Sequence, residues 1–251
     1  MSAMTWNPPE AEELDADLWG AICAEYAADI QASFVIRRDD GARDEMTPAV
    51  YFREELLPLE RQALQRAHGV VLDVGCCPGR HVLALQRRGF TVIGIDTSPR
   101  TAEVARQRGC HDIRVLSLWD IEQLGQKFRS VSMLGNNAGL PGSLEEVGRF
   151  LALLRAYTEP DAVLIAQSID PTDTDNPHHL EYHRRNERAG RYKGEVRIRE
   201  EYKGRVSPWW NLVFMEHPVF QQACEDNGWQ VEEIIAARPS YYLTARRAGP
   251  A

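Results

Sequence analysis

The stretch whose reading decides the fold is VVLDVGCCPGRH, residues 70–81. Val70, Val71 and Leu72 form an apolar run of the kind a strand buried on both faces shows. The run ends on Asp73. A loop carrying Gly75 and Gly79 follows, and a helical pattern then starts at Arg80 and stops at Gly89. Strand, glycine-containing turn and helix, in that order, bring backbone close to a nucleotide-like ligand in α/β proteins. Asp73 narrows the choice of ligand. A carboxylate just before the turn repels a pyrophosphate, but it accepts hydrogen bonds, directly or through water, from a cationic ammonium group.

Two further segments extend the pattern. FTVIGID, residues 90–96, reads as a second strand ending on Asp96. An acidic residue about 20 positions beyond such a loop is placed to accept hydrogen bonds from both ribose hydroxyls of an adenosine. The next helix has a better cap in Ser98, before Pro99, which leaves Asp96 for a ligand. IRVLSLWD, residues 113–120, ends on Asp120. Three strand ends thus deliver a carboxylate each, at the spacing of one βαβαβ half.

Together these residues resemble the motifs of the class I, Rossmann-like S-adenosylmethionine-dependent methyltransferases. Their first motif reads acidic-x-Gly-x-Gly-x-Gly, and Cys77 stands here at the middle glycine, where only a small Cβ fits. The resemblance implies an α/β fold: a seven-stranded, doubly wound, mostly parallel sheet with its last strand antiparallel. It also implies S-adenosylmethionine as cofactor and in-line displacement at the sulfonium methyl. Cofactor contacts are implied for Asp73, Gly75, Cys76, Cys77 and Gly79 at the loop, and for Asp96 and Thr97 at the ribose. Leu118, Trp119 and Asp120 are implied around the adenine, with Gly135 and Asn136 after the fourth strand.

A chain of 251 residues fits one large domain, and 43% apolar with 26% charged residues is ordinary for a soluble globule. The apolar runs are too short to span a membrane. MSAMTWNPPEAEELD lacks the basic start and apolar core of a signal peptide. Five cysteines, with Cys76 and Cys77 adjacent and no CxxC pair, suit neither a disulfide framework nor a zinc site. A cytoplasmic location and no metal are expected. A net charge of −8 argues against a nucleic-acid footprint, which needs a basic face. No feature sets the oligomeric state.

Residues 1–68 read as an N-terminal helical cover. Leu14, Leu18, Ile22 and Tyr26 recur every four residues, RRDDGARDE at 37–45 reads as a loop, and Thr47-Pro48 opens a second helix ending near Gly69. Residues 69–251 read as the methyltransferase domain. It continues with strands at 131–135 and 162–168, a helix over 143–157 with a Ser143/Glu146 capping box, a helix from His217 to Gly228, and two closing strands. Residues 171–215 form an α/β insertion after the fifth strand, on the substrate side. There DNP at 175–177 caps a polar helix, and EVRIREEY at 195–202 alternates as a strand hairpinned with the segment after Trp209.

LGNNAGLPG, residues 134–142, contains the Asn-Asn-Ala-Gly that short-chain dehydrogenases also carry after their fourth strand. That family needs a Tyr-x-x-x-Lys pair, and no tyrosine here has a lysine four residues on. Nor does NNAG match the Asp/Asn-Pro-Pro-aromatic motif of enzymes that methylate base amino groups. Asn136 and Asn137 are candidates for binding cofactor or substrate. On the insertion helix, His179 and His183 share a face and are the candidates for a general base, while His178 and Tyr182 are candidates for acceptor contact, with Trp209 and Tyr26 as walls. Nine Lys or Arg between Arg184 and Arg205 read first as a solvated face. The expected partner is a small-molecule methyl acceptor, with neither nucleic acid nor membrane. The alternatives are a non-catalytic S-adenosylmethionine-binding protein and, behind it, a dehydrogenase-like oxidoreductase.

Overall fold

The structure, a computed structural model, describes residues 13–249. Two sheets organise them. The larger has seven strands: β4 (Val71–Val74), β5 (Val92–Asp96), β6 (Ile113–Val115), β7 (Phe128–Met133), β8 (Thr158–Ile169), β12 (Trp229–Ala237) and β13 (Ser240–Arg247). Their order across the sheet is β12-β13-β8-β7-β4-β5-β6. β4 pairs in parallel with both β5 and β7, while β13 runs antiparallel to β8 and to β12. This is the seven-stranded, mostly parallel, doubly wound architecture expected of the sequence. The chain winds one way from β4 to β6 and then restarts at β7 on the other side of β4. The reversal opens a crevice at the carboxyl ends of β4 and β7, where such sheets bind ligands.

Helices flank this frame because their apolar stripes have a sheet face to cover. α4 (Arg80–Arg87) and α5 (Pro99–Gln107) lie against one face, with Val82, Leu85, Ala102 and Ala105 buried. α6 (Leu144–Ala156) and α8 (His217–Asp226) pack on the other through Phe150, Leu154, Phe220 and Cys224. Ser98 caps α5 by accepting from the Thr101 N–H at 2.9 Å. Ser143 caps α6 in the same way, but the Glu146 carboxylate turns to Arg149 at 2.5 Å, so the reciprocal half of the expected capping box does not form.

The N-terminal segment is not a helical cover, and here the structure corrects the sequence reading. Of residues 1–68, positions 1–12 lie outside the described residues. Leu14 belongs to the two-residue strand β1 (Glu13–Leu14) rather than to helix α1 (Leu18–Ala27). Residues 37–45 are no loop: β2 (Phe34–Arg38) and β3 (Arg43–Met46) form an antiparallel hairpin through them. α2 (Ala49–Phe52) and α3 (Pro58–Ala63) follow as short pieces on either side of an extended stretch. The insertion contributes α7 (Pro177–Arg188), β9 (Glu195–Tyr202), β10 (Arg205–Val206) and β11 (Trp210–Val213). β9 pairs with β2 on one side, and with β10 and β11 on the other. N-terminal segment and insertion therefore build one second sheet, a cap, from distant parts of the chain. The cap is anchored to the frame at Gly139, where any Cβ would collide with the Val213 carbonyl oxygen.

Candidate active site

The carboxyl edge of the frame gathers most of the residues the sequence singles out. Gly75 takes φ +69°, a left-handed conformation that glycine adopts without strain. Cys77 takes φ +50° despite its Cβ, which is why the motif usually has glycine there. The loop is pinned to the end of β5. The N–H groups of Gly75 and Cys76 both donate to the Ile95 carbonyl at 2.9 Å, and that of Cys77 donates to Asp96 Oδ2 at 2.9 Å. The Cys76 side chain turns into the core beside Ile113 and Val71, so only its backbone faces the loop.

Asp73 is buried, and its Oδ2 has no hydrogen-bond partner. Burial pushes its carboxyl above the ordinary range, against the opposing pull of His81, the Ser132 hydroxyl and Arg80. Asn136, at φ +67° just beyond β7, likewise keeps a buried Oδ1 without a partner. Two acceptors of hydrogen bonds thus lie unused at the ends of adjacent strands. The half-buried Asp96 is also raised by burial, with the Ser98 and Cys77 N–H groups holding it down. Thr97 beside it is exposed. Asp120 sits half-buried at φ −109° within a short 3-10 segment. Leu118 packs against the core, and Trp119 stands edge-on to Phe150 at 5.7 Å. Gly135 donates its N–H to Gln167 Oε1 at 2.7 Å, adding a residue of β8 that sequence reading missed.

Several candidates hold other contacts. The Asn137 amide donates to the carbonyls of Val74 and Gly75, both at 2.8 Å, and so clamps the β7 loop to the β4 loop. Tyr182 is buried, and its hydroxyl donates to Asp39 at 2.7 Å, which ties α7 to the cap hairpin. Trp209 lies on the outer face of the cap, with the Arg199 guanidinium 4.9 Å from its ring, and it is Trp210 that turns inward. Tyr26 packs on Phe52 at 4.8 Å. His178 is exposed on the first turn of α7. His179 Nδ1 lies 3.2 Å from Thr174 Oγ1. Burial, then the nearby His179, Lys193 and Arg38, hold His183 below its ordinary range. Among the described residues no group of three His, Cys, Asp or Glu is arranged to hold a metal ion.

A buried ionic cluster beneath the loop went unread in the sequence. Arg80 donates to both oxygens of Glu60, at 2.7 and 2.5 Å, and its Nη2 lies 3.0 Å from His81 Nε2. Burial alone would raise Glu60, but the hydrogen bonds from His81 and Arg80 overcome it and hold the carboxyl at about 2. The signal was available. Arg80 and His81 open a helix, where positive charge opposes the dipole, so a carboxylate partner was required. Trp19 of α1 reaches the same loop, with its indole at the Cys77 thiol and its ring 4.9 Å from Tyr51 and 5.4 Å from Phe34 of the cap.

Residues 71–160 match a family model described as a methyltransferase domain. A solved S-adenosylmethionine-dependent methyltransferase from Bacteroides fragilis, in complex with S-adenosyl-L-homocysteine, is 27% identical, with 97% of this chain and 98% of that one covered at a TM-score of 0.79. That coverage takes in cap as well as frame. A methyltransferase from Methanosarcina mazei is 14% identical over 78% of this chain and 100% of its own, with a TM-score of 0.60. The CcbJ methyltransferase from Streptomyces caelestis is 15% identical over 77% and 97%, with a TM-score of 0.58. These two share the fold. The search of curated proteins returned no match. The chain carries a class I, Rossmann-like S-adenosylmethionine-dependent methyltransferase domain. It is a methyltransferase by this likeness.

Proposed function

We propose that this enzyme moves a methyl group from S-adenosylmethionine to a small-molecule acceptor held between the frame and the cap. The observation that carries the cofactor's placement is the pair of unused buried acceptors, Asp73 Oδ2 and Asn136 Oδ1. They suit the ammonium-bearing end of the cofactor and would leave a pyrophosphate unbound. In this reading Asp73, Gly75, Cys77, Gly79 and Asn136 hold the amino-acid end. Asp96 and Thr97 meet the ribose, and Leu118, Trp119 and Asp120 meet the adenine. Cys76 and Gly135 contribute backbone. The cofactor, when bound, supplies an activated methyl group. The chain's own part is to orient the acceptor and exclude water.

A small acceptor suits a cap that packs on the frame through α1 and at Gly139. Most cations of the basic run of 184–205 are already met by carboxylates, which favours a small acceptor over a polyanion. Arg184 pairs with Glu181, Arg185 with Asp39, Lys193 with Glu216, Arg199 with Glu201, and Lys203 with Glu25. No helix among the described residues is long and apolar enough to cross a membrane, and we assign the enzyme to the cytoplasm. If a base takes part, His183 and His179 of α7 are its candidates, since burial keeps His183 neutral and able to accept a proton near pH 7.

Calorimetry tests the reading. S-adenosylhomocysteine is expected to bind with micromolar-scale affinity, on the order of −8 kcal/mol. Binding of a nicotinamide dinucleotide with none of S-adenosylhomocysteine would overturn it.

A further inference from the structure

The inner face of the cap carries a carboxylate that cofactor binding leaves unused. Ile198, Glu200 and Tyr202 of β9 point inward, and the register sets Ile36 opposite Glu200 and Arg38 opposite Ile198. One end of this face is covered by α1, where Leu18 and Ile22 pack on Phe34 and Tyr202. The other end is covered by α7, where the Tyr182 ring lies 4.1 Å beneath the Arg38 guanidinium. Glu200 stands between the two covers, only 6% exposed.

Its partners are neutral. Trp210 Nε1 donates to Oε1 at 3.1 Å, and the Ser207 hydroxyl donates to Oε2. No Lys, Arg or His among the described residues pairs with it. The next residue shows the contrast: Glu201, on the outer face, is met by Arg37, Arg43 and Arg199. Burial pushes the Glu200 carboxyl up, with no cation to oppose it. Trp19 of α1 connects this face to the segment before the cofactor loop: its ring lies 5.4 Å from Phe34, on the same face of β2 as Ile36, and 4.9 Å from Tyr51. A buried carboxylate held only by neutral donors is stabilised most by a cation.

Resting on the methyl-transfer reading above, we propose that the acceptor is a small molecule bearing an amino group, and that Glu200 anchors this group beside Ser207 and Trp210. Glu200 is then a specificity-determining residue of the acceptor site.

The test uses the whole chain saturated with S-adenosylhomocysteine and a panel of small alkyl and aryl amines, each paired with the alcohol of the same shape. Binding is read by calorimetry and by tryptophan fluorescence. Amines are expected to bind saturably and at least tenfold more tightly than their alcohols. Glu200→Gln keeps an acceptor for Trp210 and should abolish that preference, while the S-adenosylhomocysteine dissociation constant stays within twofold. Alcohols that bind as well as amines, an absence of amine binding, or a preference that survives Glu200→Gln would each overturn the proposal. The wild-type preference stands as a test even if the variant does not fold. Failure to bind S-adenosylhomocysteine would instead refute the underlying function.

Discussion

The frame and the cap are both sheets, yet they are held together by different forces. Strands β4, β7 and β8 are buried on both faces, and apolar packing around Leu72, Val131, Leu164 and Ala166 stabilises them. The cap has a small apolar cluster of Leu18, Ile22, Ala32, Phe34 and Tyr202, and its outer face is laced with ion pairs centred on Glu201. Every residue of β3 is exposed. A densely packed frame tolerates few changes, whereas a charge-laced cap can be rewritten without unfolding the protein. In the proposed function, cofactor chemistry sits on the first and acceptor choice on the second.

The largest effect is expected where the frame holds a buried charge. Glu60→Ala leaves Arg80 uncompensated and should cost about 3–5 kcal/mol, read from urea unfolding. A loss under about 1 kcal/mol would show that the cluster relaxes as freely as the cap does. Glu60 also predicts an acid dependence. Its folded carboxyl lies at about 2, below the ordinary 4.5, so its contribution is complete above pH 4.5 and is lost as pH falls towards 2. Glu60→Gln should flatten that part of the stability curve.

Asp96→Ala comes next. It removes the acceptor for the Cys77 and Ser98 N–H groups as well as the proposed ribose contact. S-adenosylhomocysteine affinity should fall at least tenfold, within about 1.5–3 kcal/mol per charged hydrogen bond. An unchanged dissociation constant in calorimetry would remove Asp96 from the site.

On the cap, Tyr182→Phe deletes the hydroxyl that joins α7 to Asp39. It is expected to cost about 1 kcal/mol of stability and to leave S-adenosylhomocysteine binding unaltered. A tenfold loss of cofactor affinity would mean that cap and frame are not separable. The smallest effect is expected from Arg246→Ala, which breaks an exposed pair with Glu232 at 2.7 Å and should shift stability by about 0.5 kcal/mol or less.

The same contrast explains what could be read from the sequence. The frame strands are apolar runs, and each ends on a residue whose chemistry is visible, so Asp73, Asp96 and the Asn136 turn were legible. The β2–β3 hairpin was not, because Arg37, Arg43, Asp44 and Glu45 give no alternation of apolar and polar residues. Only the Phe34-Val35-Ile36 run ahead of the Asp39-Asp40-Gly41 turn announced it. Trp209 and Trp210 were indistinguishable until the register of β11 set one on each face. Glu200 was hidden in a charged alternation whose period was clear but whose inward face was not.

The pairing of β2 with β9 has a consequence for the order in which the molecule is made. Synthesis delivers the hairpin first, and roughly 150 residues must follow before the strand that completes its sheet emerges. Through that interval the edge of β2 destined for β9 faces solvent. The arginines and acids of the hairpin then serve a second purpose, since charged edges resist joining strands of other nascent chains. A chain arrested before residue 195 already holds Asp73, Asp96 and Asp120, but it lacks Glu200 and the strand that carries it.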